Sequence, residues 1–368
     1  MLQQKGYKYR IYPTPEQARV IASFFGCCRY VFNNSLQFSK ETYASEHRSV
    51  SQYENMRRVT GMKSEPETAW LNNCDSMALQ EAVKDLNHAY QAFFSKLAGY
   101  PKFRSKRDAF QSYRTRNQKN GIRLEKGRIT IPKIGPVRIR LSRSFEGRIL
   151  NATVSRTSSG RYFVSLCVEE EVIPKPNAGG CIGIDVGLQE FYTDNNGSSV
   201  QNPKTLAKYQ KRLSREQKRL SRKQAGSNNR NKQRLRVARL HEKIANTRSD
   251  FLHKESTKLV SENQVIAVED LNVRGMFRNH RLAKAISDVS WSEFIRHLEY
   301  KAFEHGAQVV RVPRFFASSQ ICSVCGGKNP LVKDLSVRRW TCPDCGTVHR
   351  RDHNAAINIL NHALASSR

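Results

Sequence analysis

Four cysteines in the last fifty residues constrain this chain more than any other feature. Cys322 and Cys325 form one Cys-x-x-Cys pair, Cys342 and Cys345 form a second, and sixteen residues lie between them. Each pair is followed by a glycine, Gly326 or Gly346, which lets the backbone turn so that both sulfurs face one point. Four thiolates in a tetrahedron suit a zinc ion at about 2.3 Å, and the spacing favours zinc over disulfides or an iron–sulfur cluster. With all four positions filled by protein, such an ion folds a small ribbon rather than catalysing. The remaining five cysteines, Cys27, Cys28, Cys74, Cys167 and Cys181, are scattered and odd in number. They read as small core residues in a reducing, cytoplasmic setting.

A chain of 368 residues is long enough for two or three domains. Its 63 Lys and Arg against 32 Asp and Glu leave a net charge of +31, which points to a polyanionic partner, most often nucleic acid. Apolar residues make up 38%, enough to build folded cores rather than a basic tail. The sequence has neither an apolar run near the roughly 18 residues that span a membrane nor a secretory signal pattern at Met1–Lys5, so neither a membrane protein nor a secreted one is expected.

Tyr7, Tyr9 and Ile11 alternate with Lys8 and Arg10, predicting a strand. Thr14-Pro15-Glu16-Gln17 then has the pattern of a capping box, and Val20, Ile21, Phe24, Cys28, Val31 and Phe32 recur at helical spacing. A second helix is expected from Ser76 to Phe94, with Gln80 and Lys84 on its polar side as candidate base readers. From Gly99 to Arg116 cations mix with aromatics. Lys102, Arg104 and Arg107 are candidate phosphate contacts in an arm whose rings can stack on bases; a solvated basic loop fits this stretch equally well. Arg128–Leu141, Leu150–Arg156 and Tyr162–Glu169 read as antiparallel strands of a small barrel. Pro174 to Gly180 reads as a linker and the main boundary. Beyond it, residues 204–248 hold 16 Lys and Arg against Glu216 and Glu242, and Leu206, Leu213, Leu220, Leu240 and Ile244 predict a helical hairpin broken at Gly226–Asn229. So dense a charge favours phosphate contact, through Lys211, Arg215 and Arg222 among others.

Three acids stand out by context. Asp185 interrupts the apolar strand Cys181–Leu188, Glu269 closes the strand Val265–Val268, and Asp352 sits in the first turn of a helix that starts near Arg351. A charge among apolar residues is costly unless it is compensated, and Mg²⁺ compensates it while keeping waters for chemistry. Two such ions about 4 Å apart activate water and stabilise the leaving oxygen of a phosphodiester. Individually, Asp352 also fits a helix-dipole acid and Glu269 a strand-end charge.

Gly183-Ile184-Asp185-Val186-Gly187, Val268-Glu269-Asp270-Leu271, the two Cys-x-x-Cys-Gly pairs and Arg351-Asp352-His353-Asn354-Ala355-Ala356-Ile357-Asn358-Ile359-Leu360 follow one another in an order that resembles TnpB, the OrfB-type protein of bacterial insertion sequences. Tyr9–Gln17, Gly26–Asn33 and Gly99–Phe103 resemble its N-terminal signatures. Arg350 stands where a common variant of the family has Asp. The resemblance implies a mixed α/β and β multidomain chain, in which an RNase H-like RuvC nuclease domain (179–315 and 349–368) carries an inserted zinc ribbon (316–348). Before it would come a wedge-like β-barrel (1–13 and 118–178) with a helical recognition insertion (14–117). It further implies that Asp185, Glu269 and Asp352 bind two Mg²⁺, and that the four cysteines bind one structural Zn²⁺. The partners implied are a guide RNA from the transposon end and double-stranded DNA, cut beside a short transposon-adjacent motif. Base pairing would then supply most of the sequence choice. Two other readings stand beside it: a guide-free transposase acting on its own element's ends, and a non-cleaving DNA-binding regulator.

Overall fold

The alternating N-terminal residues form β1 (Leu2–Tyr12), with Tyr7, Tyr9 and Ile11 buried. The structure is a computed structural model that describes residues 2–108, 110–171 and 176–366. Thr14 caps the next helix, α1 (Pro15–Glu46), through the expected reciprocal bonds with Gln17. That helix buries Ile21, Phe24, Cys28, Val31 and Phe32, as their spacing requires. Two further helices follow, α2 (Gln52–Met62) and α3 (Ser76–Phe94). The chain divides into two compact units, 1–172 and 173–368. Pro174 and Lys175, the first residues of the expected linker, lie outside the described residues.

In the first unit the strands β2 (Gln111–Arg116), β3 (Arg123–Glu125), β4 (Arg128–Ile131), β5 (Gly135–Arg140), β6 (Arg148–Arg156) and β7 (Tyr162–Glu171) join β1 in a seven-stranded antiparallel sheet, ordered β2-β6-β7-β1-β5-β4-β3. The ladder ends on β2 and β3, so the expected barrel is an open sheet in its strand pairing. Asn117 ties the two ends by side-chain bonds to Ile122 and Ile149. The segment Tyr113–Arg116, expected to prolong a basic arm, is instead strand β2, with Tyr113 buried against Phe24 and Phe25. Aromatic rings with alternate-face neighbours satisfy a strand as readily as an arm, and packing decided between them.

The second unit is built on β8 (Gly180–Val186), β9 (Glu190–Asp194) and β10 (Ser199–Gln201), then the hairpin α4 (Thr205–Ser221) and α5 (Asn228–Glu262), then β11 (Asn263–Glu269). There follow α6 (Val273–Met276), α7 (Ala283–Val289), α8 (Trp291–His305), β12 (Gln308–Val312), the small pair β13 (Arg339–Thr341) and β14 (Val348–Arg350), and α9 (Arg351–Ser366). The five-stranded sheet runs β10-β9-β8-β11-β12; its first three strands are antiparallel, and β11 lies parallel to both β8 and β12. Alternation sorts its faces. Ile182, Ile184, Ile266 and Val268 pack in one cluster with Leu252 and Leu259 of α5 and with Phe294 and Leu298 of α8. Ala267 and Val312 point the other way and pack on Ile359 and Ala363 of α9. The expected leucine seam holds: Leu213 packs with Leu240 and Ile244, flanked by Leu206 and Leu220. Of the scattered cysteines, Cys27, Cys28 and Cys74 are buried as expected, whereas Cys181 is exposed at the start of β8. Among the described residues no helix is long and apolar enough to cross a membrane.

Candidate functional site: a carboxylate centre beside a cysteine cluster

Asp185 has the same parity on β8 as Gly183, and Glu269 the same parity on β11 as Ala267, so both acids face α9. The parallel register pairs Ala267 with Gly183 and Val268 with Ile184, which sets Glu269 beside Asp185 at the C-terminal ends of adjacent strands. Helix α9 reaches this face because residue 183 is glycine. A Cβ there would stand 2.3 Å from the carbonyl oxygen of Ala356 and 2.8 Å from the Leu360 backbone nitrogen. One turn before Ala356 comes Asp352, in the first turn of α9. Three residues far apart in sequence thus share one electrostatic neighbourhood. Burial, with Glu269 and Asp352 nearby, pushes the Asp185 carboxyl well above the usual carboxylate range, against the pull of Arg351 and Arg338. Burial also raises Glu269, opposed by the Ser318 hydroxyl and Arg351. Asp352 keeps its side chain about 40% exposed, whereas Asp185 and Glu269 are partly buried residues.

Several residues that sequence reasoning passed over hold this centre in place. Ser318 donates its hydroxyl to Glu269 Oε1 at 2.5 Å. Arg338 Nη1 stands 3.5 Å from both oxygens of Asp352. His353 Nε2 lies 3.0 Å from the carbonyl oxygen of Asn195. Asn195 in turn accepts the Gly183 amide on its Oδ1 and donates its own amide to the Gly183 carbonyl. Asn354 and Asn358, one turn apart and buried, donate to Ile321 O, and Asn358 also to Ser318 O. These asparagines lock the chain entering the cysteine cluster onto α9. The i, i+4 spacing of Asn354 and Asn358 was the signal available in the sequence; their partners were not.

The four cysteines converge. Their sulfurs all lie within 4.8 Å of one another, with Cys322 and Cys342 buried and Cys325 and Cys345 exposed. Cys322 Sγ is 3.7 Å from Cys345 Sγ, and Cys325 Sγ is 3.6 Å from Cys342 Sγ. Both following glycines adopt left-handed φ, +79° at Gly326 and +70° at Gly346, and each amide bonds back to the first cysteine's carbonyl. The hydroxyl and amide of Thr347 hold the Cys345 thiol down, at about 6. Four close sulfurs, two of them exposed, are compatible with a structural zinc. His349 Nε2 lies 3.0 Å from Cys322 Sγ, an outer neighbour that its sequence position did not announce. Among the described residues no trio of acids is gathered as tightly as these sulfurs.

The candidate nucleic-acid contacts separate into two groups. Gln80, Lys102 and Arg107 are exposed in the first unit, as are Lys211, Arg215 and Arg222 along α4, where they line a shallow groove with Lys218 and Arg219. Lys84 and Arg104 are engaged elsewhere. Lys84 Nζ pairs with Glu81 at 3.0 Å; Arg104 pairs with Asp85 at 3.1 Å and lies 3.8 Å over the Phe32 ring. Both are tied into an ion network with Arg114 and Arg116, which the helical periodicity of α3 alone does not reveal.

Comparison with known proteins yields matches along the whole chain. Residues 165–280 match the OrfB_IS605 model described as "Probable transposase", residues 291–359 match "Cas12f1-like, TNB domain", and residues 1–48 match an OrfB_IS605 "Helix-turn-helix domain". In this structure that last stretch folds as β1 followed by the single helix α1. A Streptomyces pristinaespiralis protein named "Putative RNA-guided DNA endonuclease" is 41% identical, the match covering 100% of this chain and 92% of the relative. Its namesake InsQ of Escherichia coli (strain K12) is 34% identical, covering 99% and 94%. Among solved structures, the cryo-EM structure of a Cas12f1–sgRNA–target DNA complex matches with a TM-score of 0.53 at 13% identity, covering 97% of this chain and 98% of that one. That likeness is one of fold.

Proposed function

The chain belongs to the TnpB (OrfB-type) family, and from that membership we propose that it is an RNA-guided, Mg²⁺-dependent DNA endonuclease with Asp185, Glu269 and Asp352 as its catalytic acids. The observation that carries this reading is that Asp185 and Glu269 lie side by side on the sheet face that α9 covers, with Asp352 of α9 close enough to act on Asp185, where Asp185 is disfavoured as an anion without a cation beside it. The five-stranded order β10-β9-β8-β11-β12, with α9 on the acidic face, supports reading this unit as an RNase H-like RuvC nuclease domain. Bound Mg²⁺ would supply an activated water and charge neutralisation at the scissile phosphate. The chain's own part is positioning. Ser318 orients Glu269, Arg338 attends Asp352, and Asn354 and Asn358 fix the segment that carries Ser318. A zinc ion held by Cys322, Cys325, Cys342 and Cys345 would keep that segment folded. The exposed cations of α4 would hold nucleic-acid backbone, with a guide RNA of the transposon end choosing the target beside a short motif.

The test is plasmid cleavage by protein purified with its co-expressed RNA. Asp185→Ala, Glu269→Ala and Asp352→Ala should each lower the rate more than roughly 100-fold, since even outer-shell partners of a metal are commonly worth ten- to a hundredfold. Copurifying RNA should remain bound. Full cleavage by all three variants would refute the proposed centre. Cleavage by RNA-free wild type at its own element's ends would favour the guide-free transposase.

A further inference from the structure

The chain leaves the carboxylate centre at Val312 and returns to it at Ser318. Val312, the last residue of β12, is the ladder partner of Glu269, and Ser318 donates its hydroxyl to the same glutamate. Phe315 is the midpoint of that step and is 95% exposed, the most exposed large apolar side chain among the described residues. The turn that carries it is pinned on both sides. Arg314 donates Nη2 to Asp270 Oδ2 at 2.7 Å and Nε to the Asp270 carbonyl oxygen at 3.4 Å. The Phe316 amide bonds to the Pro313 carbonyl oxygen at 2.9 Å; the Phe316 ring lies 4.5 Å from that of His362, between centroids, and packs with the cluster of Val312 and Ile359. Asn358 donates to the Ser318 carbonyl oxygen. With Phe316 taking the place against α9, Phe315 is left on the solvent side of a fixed turn. Three peptide links at 3.8 Å keep its Cα within about 11 Å of that of Ser318.

Folding gains nothing from an apolar ring left in water, and a turn bonded on either side holds it there. A ring face at that point, beside acids that cut a phosphodiester, suits a nucleobase, since every base has a π-face to stack. We propose that Phe315 is a substrate-positioning residue: its ring stacks on a base of the DNA strand being cut, close to the scissile phosphate, and so holds that strand against Asp185, Glu269 and Asp352. The inference rests on the nuclease reading above and adds to it how the strand is held. The base it takes is unstacked from its neighbours, because inside a duplex both faces are covered. Stacking reads no hydrogen-bonding edge, so no base is preferred and the contact serves any target.

The ribonucleoprotein, purified with its co-expressed RNA, would be given targets with a single abasic residue stepped past the cut in the strand that does not pair with the guide. Wild-type cleavage of that strand should slow about tenfold at one position, the scale of one lost stack. Phe315→Ala should slow cleavage of the intact strand about tenfold, and the abasic residue at that position should slow it no further. Phe315→Trp should restore both the rate and the abasic response. Melting of Phe315→Ala should match wild type, because the ring is not buried. In Asp185→Ala, which leaves the strand uncut, iodouracil at the same position should photocrosslink to Phe315, a readout independent of turnover. A Phe315→Ala protein that cleaves at the wild-type rate, or one slowed yet still sensitive to the abasic residue, overturns the assignment and leaves the nuclease reading standing. No cleavage of any target by the wild-type ribonucleoprotein overturns that reading, and the assignment with it.

Discussion

At the scale of single residues, His297 shows how burial converts into pH dependence. Its ring stacks on His253 with 4.1 Å between centroids, its Nδ1 is buried without a partner among the described residues, and Glu293 is 3.9 Å from its Nε2. Burial, with His253, Lys301 and Arg296 nearby, lowers its pKa to about 4 from 6.5. The folded state therefore binds this proton less readily than the unfolded chain does, and stability is lost as pH falls from 6.5 toward 4. By pH 5 the loss is on the order of 2 kcal/mol. The drop in melting temperature between pH 7 and pH 5 should accordingly be smaller in His297→Phe, which keeps a ring on His253 and has nothing to protonate. An identical drop in the variant would contradict the assignment. The same residue scale explains what was legible in the site. Asp185 announced itself because a lone acid in an apolar strand is costly, whereas Ser318, Arg338 and His349 are ordinary in their local sequence and acquire meaning only from Glu269, Asp352 and Cys322.

At the scale of elements, the contact of β8 with α9 decides whether the acids meet. Gly183 is the enabling position, since any side chain there would strike the backbone of α9. Gly183→Ala should force the helix outward, costing about 1–3 kcal/mol as an overpacked core contact and displacing Asp352 from Asp185. Thermal melting and cleavage are the two measurements. We expect a melting point several degrees lower and a rate that falls further than the stability loss accounts for; unaltered melting and rate would mean that α9 does not depend on this approach. Helix and strand limits were readable where local signals agree. The Thr14 capping box and the Ser76–Phe94 periodicity both correspond to observed elements. Helix α5 runs to Glu262, beyond the expected hairpin, because its second half packs Leu252, Leu259 and Val260 into the core behind β8 and β11, a nonlocal gain that composition does not display.

At the scale of the whole molecule, charge dominates. Of the net +31, residues 204–248 carry +14, and they form α4 and the first part of α5, whose apolar seam is narrow and whose remaining surface is free for solvent or phosphate. Replacing Lys211, Arg215 and Arg222 together by Glu should lower affinity for duplex DNA and for RNA and flatten the dependence of log affinity on log salt by about 2–3, if each contacts one phosphate. Filter binding over a salt series reads this, and an unchanged slope would remove α4 from the interface. The sequence by itself determined the elements and the chemistry carried in each: capped helices, alternating strands, two thiol pairs on turning glycines, three acids in improbable places. Those are local matters of propensity, periodicity and the cost of an isolated charge. What the tertiary fold alone set is that the sheet of the first unit ends on β2 and β3, that Lys84 and Arg104 are bound to acids, and that Asp185 and Glu269 share a sheet face with Asp352 of α9 beside them. Each of these depends on which distant backbone comes close enough to bond, and that is set by strand register and by the space a single glycine leaves.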